Sequence, residues 1–216
     1  MKLYTYFRSS AAFRVRIALN LKGLAYEAAL VRLPRGEHRD PSYGALNPQA
    51  LLPTLEDGGE RLTQSLAIIE YLEERHPSPP LLPEDAPGRA RVRSLAMLVA
   101  CEIHPLNNLR VLQHLKRALG QSQEQIDGWY RHWIADGLAK LEASLAGDKA
   151  GGKGTGMFCH GDTPTMADCC LAPQIFNAQR YQCDTALYPT AMRVFGQCMK
   201  LEAFDRAQPS KQPDAE

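Results

Sequence analysis

The run Tyr4-Thr5-Tyr6-Phe7-Arg8-Ser9-Ser10-Ala11-Ala12-Phe13-Arg14-Val15-Arg16-Ile17-Ala18-Leu19 decides how the first third of the chain is read. Residues Lys2 to Phe7 are rich in aromatic and β-forming types, the signature of a strand entering a core. From Ser10 to Lys22 the period changes. Ala11, Val15, Ala18 and Leu19 keep helical spacing, while Arg14, Arg16, Asn20 and Lys22 fall elsewhere on the wheel, as the polar side of an amphipathic helix. Gly23 supplies the stop. Ser9 and Ser10 therefore stand where a helix begins. The first four amides of a helix lack intrahelical acceptors and lie at the positive end of its dipole, so a ligand carrying negative charge is favoured there.

Working outward, Ala25 to Val31 reads as a second strand, and a strand-helix-strand unit produces a parallel pair. Arg32 to Pro48 is polar and broken by Pro34, Gly36, Pro41 and Gly44, so it reads as loop with a short helix. Thr54–Asp57 and Glu60–Thr63 flank Gly58-Gly59 as a tight antiparallel hairpin. Ser65 then opens a helix with Ile68, Ile69 and Leu72 inward and Glu70, Glu73 and Glu74 toward water. The order β-α-β-loop-β-β-α is that of a thioredoxin-like domain.

Pro77 to Gly88 holds five prolines and reads as a linker, which places one domain at 1–82 and a second at 88–216. The second reads as all helical. Val92, Leu95, Val99 and Ile103 share a face, with Pro105 expected to interrupt the helix. Leu109, Leu112 and Leu119 continue an apolar stripe. Ser122 and Gln125 fit a capping box ahead of a helix whose buried face runs from Ile126 to Leu145. Gly147 to Gly156 reads as a flexible surface loop, and Thr165 with Asp168 as a second cap, giving Asp168 a structural role. The last helix is expected to end near Phe204, leaving 207–216 as a polar tail. The fold class is thus α/β plus all-α: a thioredoxin-like domain followed by a helical bundle.

The formal net charge of +1 over 216 residues offers no bulk attraction to nucleic acid or to a membrane surface. There is no run of eighteen apolar residues and no apolar signal segment at the N-terminus, so a cytoplasmic protein is expected. The six cysteines form no C-x-x-C pair and no metal-ligand pattern, so no metal site is expected and most read as small buried thiols. Without C-x-x-C, a thioredoxin-like domain is better suited to binding a thiol than to dithiol exchange.

Three separated segments bear on that binding. They are the Ser9-Ser10 turn, Leu51-Leu52-Pro53-Thr54-Leu55 with Pro53 a candidate cis proline, and Gln64-Ser65 at a helix start. Singly, each also reads as a turn, a hairpin or a cap. In combination, Ser9-Ser10-x-x-Phe13-Arg14-Val15-Arg16-Ile17-Ala18-Leu19 resembles the signature of the zeta-class glutathione transferases, the family of maleylacetoacetate and maleylpyruvate isomerases. Ala45-Leu46-Asn47-Pro48, Pro53-Thr54-Leu55, Gln64 to Glu74, His104 to Leu109, Gly161-Asp162, Thr165 to Asp168 and Gln212-Pro213-Asp214 extend the likeness over essentially the whole chain.

The resemblance implies glutathione as cofactor, with Ser9, beside Ser10, holding its sulfur as thiolate. Leu52, ahead of Pro53, would pair with the cysteinyl backbone, and Gln64 with Ser65 would take the γ-glutamyl end. His38, Gln49, His104 and Asn108 would be further contacts, although His38 also reads as a solvated loop residue and His104 as the filling of a bend. A thiol of pKa near 8.5 is only about 3% thiolate at pH 7, and lowering it by about two units requires roughly 2.7 kcal/mol, within reach of one hydroxyl donor at a helix N-terminus.

Addition of that thiolate to a maleyl double bond would allow rotation, and elimination would release the trans isomer. Because such substrates are dianions, Arg8, Arg110 and Arg180 are proposed as carboxylate and enolate partners. The family signature usually reads Ser-Ser-Cys-Ser-Trp-Arg, and here Ala11, Ala12 and Phe13 replace its third to fifth residues, removing an accessory thiol. The alternatives are maleylpyruvate isomerisation, conjugation of small electrophiles such as α-haloacids, and a non-catalytic assembly module. The resemblance also implies a homodimer.

Overall fold

The computed structural model describes residues 1–147 and 154–216, so most of the expected 147–156 loop lies outside the described residues. In chain order the elements are β1 (Lys2–Thr5), α1 (Ser10–Leu21), β2 (Glu27–Leu30), α2 (Pro41–Leu46), β3 (Thr54–Asp57), β4 (Glu60–Thr63), α3 (Ser65–Arg75), α4 (Ala86–Met97), α5 (Leu109–Arg117), α6 (Gln123–Ala146), α7 (Met166–Arg180), α8 (Pro189–Cys198) and α9 (Glu202–Ala207). They form two compact units, Met1–Leu81 together with Met199–Glu216, and Leu82–Cys198. This differs from a division into 1–82 and 88–216, because the segment after Cys198 belongs with the first unit.

In the first unit the sheet order is β2-β1-β3-β4, with β1 parallel to β2 and the other pairs antiparallel. The β3–β4 hairpin turns on Gly58 (φ 58°) and Gly59 (φ 93°), a pair of positive angles that glycine adopts without a Cβ clash. Helix α1 packs against both α3 and α9, so two of its sides are covered. This corrects the amphipathic reading: Arg14, Arg16 and Lys22 are buried, as is Glu73 of α3. Each has specific partners in place of water. Arg14 donates to Ser65 Oγ at 3.2 Å. Lys22 Nζ reaches Glu73 Oε2 at 2.7 Å and the carbonyls of His76 at 2.7 Å and Pro79 at 2.9 Å, while Glu73 accepts from the Leu81 amide at 2.9 Å. A buried ion pair thus fastens the start of the proline-rich stretch to its own unit.

The segment read as a polar tail is also tied down. Ala207 and Pro209 are buried, residues Pro209–Lys211 form a short 3₁₀ turn, and Asp214 accepts a hydrogen bond from the Phe7 amide.

The second unit is helical throughout its described elements. Helix α4 widens into a π-helical stretch at Leu98–Ile103 and tightens into a 3₁₀ turn at His104–Asn107, the interruption expected at Pro105. Gly137 on α6 faces Ile103 so closely that a Cβ would collide with its side chain. Both capping boxes form: Ser122 and Gln125 exchange hydrogen bonds, and the Asp168 carboxylate accepts from the Thr165 amide and hydroxyl, both at 2.8 Å. Asp168 also accepts from the Cys159 amide at 2.8 Å, so its role is structural. Among the described residues no helix is long and apolar enough to cross a membrane.

Candidate active site

The register of the sheet assembles three of the segments. Tyr4 on β1 lies opposite Thr54 on β3, and Thr54 lies opposite Thr63 on β4. Beyond Tyr4 the chain runs on to Phe7-Arg8-Ser9; before Thr54 stand Leu52 and Pro53; after Thr63 come Gln64 and Ser65. Antiparallel pairing therefore delivers all three segments to one end of the sheet.

Ser9 is the N-cap of α1, its hydroxyl oxygen accepting from the Ala12 amide at 3.2 Å. That contact uses an oxygen lone pair and leaves the hydroxyl proton for another acceptor. Ser10 is the first helical residue, and both serines are half-buried. Arg8 is exposed, its guanidinium over the Phe7 ring at 4.8 Å.

The Leu52–Pro53 peptide bond is cis, as the position before β3 suggested, and Leu52 lies outside the ladder that starts at Thr54. A buried polar group holds the approach to it. Tyr43 Oη and Asn47 Nδ2 donate to the Leu51 carbonyl at 2.7 and 2.9 Å, and both contact Thr54 Oγ1. Asn47 Oδ1 also accepts from the Gln49 amide at 3.0 Å. Tyr43, Asn47 and Thr54 were not singled out individually. Asn47 enters the sequence reading only within Ala45-Leu46-Asn47-Pro48, one of the stretches that carry the resemblance.

Gln64 caps α3 with φ at 67°, in a region that a non-glycine residue occupies at a cost and that clusters at functional sites. Its Nε2 donates to Gln49 Oε1 at 2.7 Å, so two candidate contacts meet directly. Ser65 follows at the first helical position, buried, with Arg14 donating to its hydroxyl. Arg14 thus ties α1 to the start of α3, a function that a helical wheel cannot show. His38, in a 3₁₀ turn at Glu37–Arg39, is buried, and its Nδ1 has no hydrogen-bond partner. Burial, and then the neighbouring Arg39 charge, lower its pKa, against the opposing pull of Asp40. The solvated-loop reading of His38 is corrected.

In the second unit, His104 begins the 3₁₀ turn and Asn108 caps α5, accepting from the Arg110 amide at 3.2 Å. Arg110 is exposed in the first turn of α5. Arg180, exposed at the end of α7, lies over the Tyr181 ring at 4.6 Å. Tyr181 in turn stacks on Tyr130 with ring centroids 3.6 Å apart. Burial raises the Tyr130 pKa to about 12, while the charge of Arg180 and a hydrogen bond to it work in the opposite direction.

Residues 3–80 match the glutathione S-transferase N-terminal domain, and residues 123–195 match the C-terminal domain. Over 215 residues the chain is 48% identical to the maleylpyruvate isomerase of a Ralstonia species, covering 100% of each. It is 49% identical over 217 residues to the maleylacetoacetate isomerase of Pseudomonas aeruginosa, covering 99% of this chain and 98% of that one. The crystal structure of maleylacetoacetate isomerase from Methylobacterium extorquens AM1, with bound malonate and glutathione, is 45% identical and superposes with a TM-score of 0.96 over 100% of each chain. With both transferase domains present and identity sustained from end to end, the chain belongs to the zeta-class glutathione transferase family of maleylacetoacetate and maleylpyruvate isomerases.

Proposed function

We propose that this protein is a glutathione-dependent cis-trans isomerase that converts maleylacetoacetate to fumarylacetoacetate. The observation that carries the reading is the register that delivers Ser9, Leu52-Pro53 and Gln64-Ser65 to one end of the sheet. The residues there fit glutathione. The N-terminus of α3, where the first helical bond runs from the Ile68 amide to the Gln64 carbonyl, leaves the preceding amides for a carboxylate. The Gln49 and Gln64 carboxamides add donors, and His38 brings a buried Nδ1 without a partner. Leu52, beyond the ladder, suits an extended peptide backbone.

When bound, glutathione supplies a thiol for reversible addition to the maleyl double bond. Ser9 donates a hydrogen bond from its hydroxyl to the thiolate sulfur, keeping its proton, while its oxygen accepts the Ala12 amide, and the dipole of α1 adds a positive end. Ser10 extends the polar helix start. Leu52 and Pro53 hold the cysteinyl backbone, Gln49, Gln64 and Ser65 the γ-glutamyl end, and His38, His104 and Asn108 make further contacts. Arg8, Arg110 and Arg180 bind the carboxylates and the enolate oxygen of the substrate.

Maleylpyruvate isomerisation is the second reading, favoured by the 48% identity to the Ralstonia enzyme of that name. Turnover of maleylacetoacetate and maleylpyruvate, each with and without glutathione, tests both: the first reading requires faster glutathione-dependent turnover of maleylacetoacetate. Activity on neither substrate, or activity indifferent to glutathione, would overturn the isomerase assignment. The proposal includes a cytoplasmic homodimer, supported by the family and by six cysteines carried as thiols.

A further inference from the structure

Two charged groups grip the turn that carries Ser9: Asp214, remote in sequence, and Arg16 from the next turns of α1. Asp214 Oδ2 accepts from the Phe7 amide at 3.1 Å. The fully buried Arg16 guanidinium donates to the carbonyls of Tyr6 at 3.3 Å and Phe7 at 3.1 Å. The Tyr6 carbonyl accepts as well from the Ser9 amide, at 3.0 Å. One oxygen therefore joins the buried guanidinium to the residue assigned to the sulfur.

Arg16 is itself anchored by 199–216, donating from Nε to the Ala207 carbonyl at 3.1 Å, and by β1, donating from Nη1 to Thr5 Oγ1 at 3.0 Å. Burial disfavours the charged guanidinium, and Tyr26 and then Asp214 oppose that effect. The ladder pairing of β1 stops at Thr5, so the backbone from Tyr6 to Ser9 lies outside the sheet register. What holds it includes Arg16 and Asp214, and 199–216 contributes to that hold twice, through Ala207 and Asp214.

We propose that Asp214 and Arg16 are positioning residues for Ser9, so that the segment 199–216 aims the Ser9 hydroxyl at the bound sulfur. Ser9 must accept from Ala12 and donate to sulfur with one oxygen, which leaves little latitude in the direction of its backbone, and charge-assisted hydrogen bonds are the stronger ties available to fix it. A displacement of about 1 Å originating away from the chemistry can cost on the order of 100-fold. The Gln212-Pro213-Asp214 motif then has a task within the site. The proposal rests on the glutathione-dependent reading.

Asp214→Ala and Asp214→Asn in the full-length protein test it, with glutathione as the probe and the ultraviolet absorbance of the bound thiolate titrated against pH. Asp214→Ala should raise the apparent pKa of the bound thiol by about 1 unit, a roughly tenfold smaller ratio of thiolate to thiol near neutral pH. Calorimetric affinity for glutathione should change by less than about threefold, since the donors at α3 are untouched. Asp214→Asn keeps an acceptor oxygen for the Phe7 amide and should shift the titration by only about 0.3 unit. A purely structural tie would lower the melting temperature and leave the titration where it was. An unchanged curve in Asp214→Ala overturns the proposal, and if that variant does not fold, an unchanged curve in Arg16→Lys, which keeps the charge but cannot reach both the Tyr6 and Phe7 carbonyls, does so. A wild-type bound thiol titrating like free glutathione would instead remove the thiolate-activating reading itself.

Discussion

The carboxamides of Gln49 and Gln64 meet at 2.7 Å, joining a loop residue held by Asn47 to a helix cap whose φ is positive. Each fixes the other's orientation, so the pair presents its remaining donor and acceptor positions in set directions.

Gln64→Ala should therefore raise the KM for glutathione with little change in kcat. Loss of a hydrogen bond of about 1.4 kcal/mol corresponds to about tenfold in affinity. Initial rates over a glutathione series at fixed dicarboxylate check this, and an unaltered KM would show that the pair serves only the loop.

Ser9 carries two separable duties. Ser9→Ala should lower stability by about 1 kcal/mol through loss of the cap, and turnover by about 100-fold through loss of the donor. Ser9→Asp restores a cap acceptor without a proton to give at neutral pH, so its melting temperature should recover while its turnover stays low. Recovery of turnover in Ser9→Asp would move the sulfur contact to Ser10 or to backbone amides.

The Lys22–Glu73 pair is buried, with the lysine side chain fully covered. Lys22→Met should destabilise by about 3–5 kcal/mol because Glu73 is left charged without its partner. Adding Glu73→Gln should return part of that loss. Urea unfolding of the two variants measures the difference, and equal stabilities would place the effect in packing alone.

His38 imposes a pH dependence of stability. Its folded pKa lies below the ordinary 6.5, so over the interval beneath 6.5 the unfolded chain binds more protons than the native one. The stabilising contribution is present above 6.5 and declines as pH falls toward the folded value. His38→Gln should flatten the stability profile over the interval just below pH 6.5. Chemical denaturation at several pH values tests the slope, and an identical slope in the variant would assign it to other groups.

Much of the fold was legible because local rules and tertiary structure agree. Gly58-Gly59 permits one kind of hairpin, and Ser122 with Gln125 and Thr165 with Asp168 are caps whose partners lie three residues away. The cis bond before Pro53 and the start of α1 at Ser10 were legible for the same reason. Arg14, Arg16, Lys22 and Glu73 were misread because a wheel reports periodicity and assumes water on the polar side. Here a second layer, α3 and α9, covers that side, and the charges are met by Ser65, backbone carbonyls and one another. The destination of 207–216 was invisible because no period or cap within that segment encodes a partner some two hundred residues earlier, as Asp214 has in Phe7.

The return of 199–216 to the first unit also bears on the order in which the protein is completed. A ribosome finishes the continuous segment 82–198 before it reaches Met199, so the second unit has its whole sequence while the first, begun earlier, still lacks a part. Until then Arg16 has no Ala207 carbonyl and Phe7 no Asp214 carboxylate. The unit whose first strand is synthesised earliest is thus the later of the two to be finished.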